Sequence, residues 1–297
     1  MKKELLMMAL MLSIGLASWA QEELAPYFGV QIPGDMSSMS QQMQDQIRND
    51  GFQIIGQYQV ADRDDLLVLC FTRDDLKKAC EDFEDRGALA SVLKVALRKV
   101  NDSVELSILH PNYMFYAYFG DDYKTQAPAL KKIDQDAKNL LSGFGKARSF
   151  GGGLTAEDLE KYHYKVMMPY FDDPVELEEY ASFEEGLKYI QTKISNSGSN
   201  IKLVYKLVDE KKQTAVFGIG LLDAELGEPT FLPIIGERHI AAMPYDIILQ
   251  GNTVSMLHGK YRFALYWPEL TMGTFMKIMS TPGDVEDIME SITEKED

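Results

Sequence analysis

The stretch Ser107-Ile-Leu-His110-Pro-Asn-Tyr113-Met-Phe115-Tyr-Ala-Tyr118-Phe119 returns as Ser255-Met-Leu-His258-Gly-Lys-Tyr261-Arg-Phe263-Ala-Leu-Tyr266-Trp267. Ser, Leu, His, Tyr, Phe and Tyr match at a constant offset of 148, and Phe119/Trp267 and Asp121/Glu269 match in kind. Solenoid repeats recur at roughly 20–50 residues, so a period this long indicates two complete modules. Two related modules can bury a shared surface around an internal pseudo-two-fold axis, as a symmetric homodimer does.

Further landmarks keep the same order. Pro26-Tyr27-Phe28 is answered by Pro169-Tyr170-Phe171, and Ile47, Asn49 and Gly51 by Ile194, Asn196 and Gly198 at an offset of 147. Tyr58 pairs with Tyr205 at 147 and Val68 with Val216 at 148, which places one inserted residue between those points in the second copy. Loop insertions of this kind are tolerated because loop closure costs little per added residue.

Each copy opens with an amphipathic helix. Met39, Met43 and Ile47 recur every four residues before Gly51, and Phe183, Leu187, Ile190 and Ile194 share a face before Gly198. Strands follow over 53–60 and 66–71, answered by 201–208 and 214–219, each pair joined by a polar turn into an antiparallel hairpin. The first copy continues with a helix through Leu76, Cys80 and Phe83, closed by Gly87. The second has a looser Gly/Pro-containing stretch from Leu226 to Pro233. A second hairpin turns at Asn101-Asp102 and near Gly251-Asn252, dipeptides suited to tight turns with positive φ. The expected fold class is therefore α+β: two related domains, each an antiparallel sheet built from hairpins with helices on one face, arranged as an internal pseudo-dimer. The expected divisions are a signal peptide over 1–20, a first repeat domain over 21–142, a Gly-rich linker over 143–155 and a second repeat domain over 156–297.

Helix, hairpin, helix, hairpin and a polar-x-Pro-x-Tyr exit resemble the bacterial family known as domain of unknown function 302. His110-Pro-Asn-Tyr113 carries that exit pattern. Val216-Phe217-Gly218 and Met243-Pro244-Tyr245-Asp246 resemble the family's Phe-Gly strand end and Leu-Pro strand entry. The first copy has Cys70-Phe71-Thr72 without the Gly, and the second has Gly259 in place of the Pro. The resemblance implies a compact α+β domain that pairs sheet to sheet. It implies no reaction and no catalytic residues.

Met1-Lys-Lys-Glu4, the apolar run Leu5–Leu16 and Ser18-Trp19-Ala20 together read as a secretory signal peptide cleaved near Ala20. The run is shorter than the about 20 residues that span a bilayer. The expected location is periplasmic or extracellular, with no membrane insertion. Removing residues 1–20, which carry two Lys and one Glu, takes the formal net charge from −16 to −17. That much acid repels nucleic acid and anionic lipid. Cys70 and Cys80 are both in the first copy, and an offset of 148 gives Gly218 and Glu228, so buried free thiols are the favoured reading over a disulfide.

The residues with chemical potential are few. His110 and His258 are equivalent by repeat. One reading places them at strand ends near the pseudo-axis, lining a cleft with Tyr113, Tyr118, Tyr261 and Tyr266. In the other, each imidazole caps the following turn and the tyrosines pack the core. Neither His has a Cys or carboxylate partner close in sequence, so no metal site, cofactor or catalytic residue is assigned. No H-E-x-x-H, C-x-x-C, G-x-S-x-G or P-loop sequence occurs. The function expected is a non-catalytic binding or scaffold protein with a groove between two repeats, monomeric, taking an unknown small ligand or envelope protein. The alternatives are a His-dependent enzyme, with or without a metal, using His110 and His258, and a structural partner of an envelope complex.

Overall fold

The computed structural model describes residues 23–164 and 168–295, so the signal-peptide reading of residues 1–20 lies outside the described residues. The fold is α+β, with two antiparallel sheets of hairpins carrying helices.

The chain begins with β1 (Glu23–Leu24) and β2 (Tyr27–Pro33), then α1 (Met36–Asn49). Next come β3 (Gln53–Gln59), β4 (Leu66–Thr72), α2 (Asp74–Glu81), β5 (Leu93–Val100) and β6 (Ser103–Leu109). Helices α3 (Pro111–Phe119) and α4 (Tyr123–Asn139) follow, then the short strands β7 (Arg148–Phe150) and β8 (Leu154–Thr155). These strands build a six-stranded sheet of order β3-β4-β5-β6-β2-β7, with β1 and β8 pairing separately.

The second half runs α5 (Ala156–Glu160), β9 (Val175–Glu179), α6 (Phe183–Asn196), β10 (Ile201–Asp209) and β11 (Thr214–Leu221). It continues through α7 (Glu228–Ile235), β12 (Tyr245–Gln250), β13 (Thr253–Met256), α8 (Gly259–Tyr266), α9 (Met272–Phe275) and α10 (Thr281–Thr293). Its five-stranded sheet has the order β10-β11-β12-β13-β9.

The opening helices show how similar local chemistry gives similar elements. Asp35 caps α1 by accepting from Ser38 N at 2.9 Å, and Ser182 caps α6 by accepting from Glu185 N at 3.2 Å. Both helices are followed by a glycine in the left-handed region, Gly51 at φ 81° and Gly198 at φ 70°. Met39, Met43 and Ile47 bury the inner face of α1, and Phe183, Ile190 and Ile194 that of α6. Full burial of one such side chain contributes about 1.5–3 kcal/mol, so these stripes hold the helices to the sheets.

The structure corrects three expectations, two of them through strand pairing. Val68 lies opposite Tyr58, whereas its counterpart Val216 lies opposite Leu207, and Tyr205 lies opposite Gly218. Tyr205 is therefore the counterpart of Gly56, not of Tyr58, at an offset of 149. Two residues enter the second copy before the strand, and one is lost at the turn. Similarly, Phe28 opposite Ile108 answers Val175 opposite Met256, so Pro26-Tyr27-Phe28 has no structural counterpart in Pro169-Tyr170-Phe171. Thirdly, the stretch expected to be loose after Leu226 contains α7. Pro229 stands in its first turn, where a missing N–H is no loss, and Gly236 ends it at φ 95°.

The halves meet along their β3 and β10 edges. A Cβ on Gly56 would lie 2.1 Å from Val204 O, so only glycine permits this approach. Gly220 likewise leaves room for the Tyr58 ring of the other half, which a Cβ would meet at 2.9 Å.

Candidate functional site

The repeated motif does not leave its hairpin as strand. It turns into α3 and α8, with His110 and His258 as their N-cap residues. These two helices bring the four tyrosines together. Tyr113 Oη donates to Leu265 O at 2.9 Å, and Tyr261 Oη donates to Ala117 O at 3.0 Å. Leu265 is the counterpart of Ala117 at an offset of 148, so the two bonds are one interaction made in both directions. Between them Tyr118 Oη meets Tyr266 Oη at 2.6 Å, a residue against its own counterpart. That is the contact pattern of a two-fold axis. All four rings are buried, and burial, the first cause for each, raises their hydroxyl pKa values, so they remain neutral donors and acceptors.

A second cross-axis contact joins residues that the 148 offset does not pair. Lys94 lies opposite Cys70 in its sheet and Asp246 lies opposite Gly218, so Lys94 and Asp246 occupy equivalent positions, now at an offset of 152. Lys94 Nζ reaches Asp246 Oδ2 at 2.7 Å and Pro244 O at 3.1 Å, and Tyr205 Oη donates to Asp246 Oδ1. The same offset equates Arg86 with Arg238, whose guanidinium groups lie over Phe171 at 5.0 Å and Phe150 at 4.0 Å. Asp85-Arg86 and Glu237-Arg238 are the sequence signal for it, hidden because the offset grows by four residues before this point.

Two more buried charges have no equivalent in the other half. Arg262 stands where the first half has Met114. It donates to Ala242 O and, at 2.8 Å, to Pro244 O, and lies 3.7 Å over the Tyr245 ring. Burial opposes its charge, yet Tyr245 and Asp246 hold its pKa above the ordinary value. Glu228, fully buried in the first turn of α7, accepts from Tyr58 Oη at 3.0 Å, Ala61 N at 2.8 Å and Leu221 N at 3.1 Å. Burial pushes its carboxyl up to about 7 against the pull of those donors.

The equivalent histidines behave differently. His110 Nδ1 lies 2.8 Å from Ala25 O, and Nε2 lies 3.0 Å from Asp134 Oδ1 as an ion-pair contact off the line of a hydrogen bond. A carboxylate partner therefore exists, 24 residues away on α4. Asp134 Oδ1 also accepts from Asn112 N at 3.1 Å, which caps α3, while Lys138 holds Oδ2 at 2.8 Å. Burial works to raise the Asp134 pKa, but His110 and Lys138 outweigh it and hold the carboxyl below its ordinary value. His258 caps its own helix by accepting from Lys260 N at 3.2 Å, and burial followed by Lys260 lowers its pKa. Neither imidazole touches the tyrosine cluster through a hydrogen bond. Cys70 and Cys80 are buried free thiols, each pushed up to about 12 mainly by burial. Among the described residues, no group of three or more His, Cys, Asp and Glu could hold a metal ion.

Beside the tyrosine cluster a cleft of about 390 Å³ opens between the first half and the 160–172 region. Its wall is aromatic, from Phe83, Tyr118, Phe119, Tyr162, Tyr170 and Phe171. Its rim carries Glu84, Asp85, Asp122, Glu160 and Asp172, with Lys161 as the one cation among the described lining residues. Of His110, Tyr113, Tyr118, His258, Tyr261 and Tyr266, the candidates from sequence, Tyr118 alone reaches it. A larger cleft of about 650 Å³ lies between α2 and the β10–β11 turn, but it is lined by charges of both signs and one aromatic ring, Phe83.

No protein-family profile matches the chain, and no curated protein matches it. Among solved structures, the crystal structure of an uncharacterized conserved protein, DUF302, from Bacillus stearothermophilus is similar to part of it. That match has 13% sequence identity and a TM-score of 0.32, and covers 40% of this chain and 94% of the other.

Proposed function

We propose that this chain is a non-catalytic ligand-binding protein of the periplasm or extracellular space, whose ligand occupies the aromatic cleft beside the junction of its two halves. The compartment rests on the sequence of residues 1–20. Among the described residues no helix is long and apolar enough to cross a membrane. The observation that carries the reading is the contrast between the closed tyrosine cluster and the open cleft next to it. Each of the four hydroxyls is engaged across the axis, whereas Tyr170 at the cleft is 45% exposed. A concave aromatic wall with a few charged groups is the usual form of a small-molecule site.

The His110–Asp134 contact gives the enzyme alternative its one specific support. Against it, the imidazole and the carboxylate are 6% and 5% exposed, and Nδ1 is already held by Ala25 O. A general base must reach a substrate proton within about 2.6–3.2 Å.

The test is a thermal-shift screen of the mature chain against a metabolite library, since a specific ligand raises the unfolding temperature by mass action. A ligand whose effect disappears in Tyr170→Ala supports the cleft. A substrate whose turnover falls by about 10²–10⁴-fold in His110→Ala, with the fold intact by circular dichroism, would replace the binding reading with the enzyme one.

A further inference from the structure

Resting on the cleft as a ligand site, we propose that its ligand is a small organic ammonium ion. The charge balance points this way: among the described lining residues there are five carboxylates and one lysine. Asp85 is paired with Arg86 at 2.7 Å and Glu160 lies 3.9 Å from Lys124, but Lys124 also pairs with Asp121, so the rim remains anionic. An anionic rim draws cations and repels acids. The wall decides which cation. A metal ion needs converging oxygen, nitrogen or sulfur ligands, and no such group exists among the described residues. An alkylammonium instead gains from ring faces, which attract a soft, weakly hydrated positive charge within about 6 Å of the centroid. The wall already uses that chemistry, because Phe171, tilted against Tyr118 at 4.7 Å, carries the Arg86 guanidinium at 5.0 Å.

The other half differs at the equivalent place, where the pocket beside Trp267 is smaller, about 200 Å³, and has Lys260 in place of an acidic rim. There the residue after Arg238 is His239, which stacks on Tyr27 at 4.8 Å and leans on Trp267 at 6.0 Å. Burial, then Arg238, lowers this imidazole to about 4, so it fills its place as a neutral ring. The residue after Arg86 is Gly87, where a Cβ would meet Cys80 O at 2.5 Å and Phe83 Cβ at 2.6 Å, so Phe83 takes the space beside it. Phe83 stacks on Phe119, the counterpart of Trp267, at 3.6 Å, and the cleft opens beside that pair. At about 390 Å³ it falls within the roughly 300–1,000 Å³ typical of small-molecule pockets.

Isothermal titration of the mature chain with choline, benzyltrimethylammonium and the neutral choline isostere 3,3-dimethylbutan-1-ol tests this. Both cations bind, the neutral isostere binds at least about tenfold more weakly, and Tyr170→Ala weakens both cations by about tenfold. Glu160→Gln with Asp172→Asn, both changes on the rim, weakens the cations and leaves the isostere unchanged. Equal binding of choline and its isostere, both lost in Tyr170→Ala, overturns the ammonium proposal and leaves the cleft as a site for neutral ligands. A library ligand that requires Tyr170 while neither cation binds has the same consequence. Cation binding that survives both sets of substitutions overturns the proposal and removes this support from the cleft itself.

Discussion

Tyr118 and Tyr266 stand at equivalent positions of the two halves and touch, and so do Lys94 and Asp246, yet the first pair is one residue type twice and the second is two opposite charges. A two-fold axis sets each residue on it against its own copy. A tyrosine hydroxyl both donates and accepts, so it can bond to itself across the axis. A charged lysine or a charged aspartate is instead repelled by its copy. A homodimer of identical chains therefore cannot place a lysine–aspartate pair there, whereas a duplicated chain can, once the two copies diverge. Gly56 and Tyr205 show the same divergence in size: they hold equivalent positions, and a Cβ on Gly56 would meet Val204 O at 2.1 Å and Tyr205 Cβ at 3.1 Å across the seam. At these positions each half is complementary to the other half and not to a copy of itself.

The largest effect should come from restoring identity where the copies have split. Lys94→Asp sets two carboxylates against each other at a site where Lys94 and Asp246 side chains are 6% and 13% exposed. Breaking a buried pair typically costs about 3–5 kcal/mol, and we expect a loss at the upper end by urea unfolding. The exchange variant, Lys94→Asp with Asp246→Lys, should recover at least half of it, with Val92 O taking the role of Pro244 O. A double variant no more stable than the sum of its singles would break the equivalence of the two positions.

Glu228 offers a smaller effect that is set by pH. Its ordinary carboxyl value is 4.5 and its folded value about 7, so the folded state holds the proton to higher pH than the unfolded chain does. The stability linked to that proton is complete below about pH 4.5 and is lost as pH rises to about 7. Each tenfold difference in proton affinity between folded and unfolded chain is worth about 1.4 kcal/mol, so the full change is roughly 3 kcal/mol. Tyr58, Tyr245 and Arg262 are the titratable groups around it, and the tyrosines do not ionise in this range. Glu228→Gln should remove this part of the pH dependence between about pH 5 and 8. An unchanged slope would assign the effect elsewhere. Asp134 acts in the opposite direction: its lowered value adds stability at neutral pH that disappears on acidification.

The parts legible in sequence are those where one offset holds. Across Ser107–Phe119 the copies keep register, and the reciprocal tyrosine bonds follow from it. The sheet-covering helices are also plain, since Met39, Met43 and Ile47 mark a buried stripe by their spacing alone. Alignment by residue likeness fails where the strand pairing has shifted. Tyr58 and Tyr205 look alike but face different partners, and Lys94 and Asp246 look unlike yet share a position. Asp134 is invisible in sequence as a partner of His110 because only the packing of α4 on α3 brings them together. Helices α4 and α10 lie outside the stretches that the repeat marks, so no counterpart draws the eye to either.

The smallest effect tests the unbroken side of the comparison. Tyr118→Phe removes one hydroxyl and leaves Tyr266 Oη buried without its partner at 2.6 Å, and Tyr266→Phe does the converse. Leaving one buried hydroxyl unsatisfied costs about 1–3 kcal/mol, whereas removing both partners of a hydrogen bond is close to neutral. Each single variant should therefore lose about 1 kcal/mol, by similar amounts because the positions are equivalent, and the double variant should lose less than the two together. The backbone carbonyl of Tyr266 remains bonded to Tyr27 Oη at 2.8 Å in all three, so the helix is not disturbed by the change. If the two single losses differ by more than the double-variant coupling, the contact is not shared evenly across the axis. The tyrosine pair would then have diverged in energy, as Lys94 and Asp246 have diverged in chemistry, while keeping its residue type.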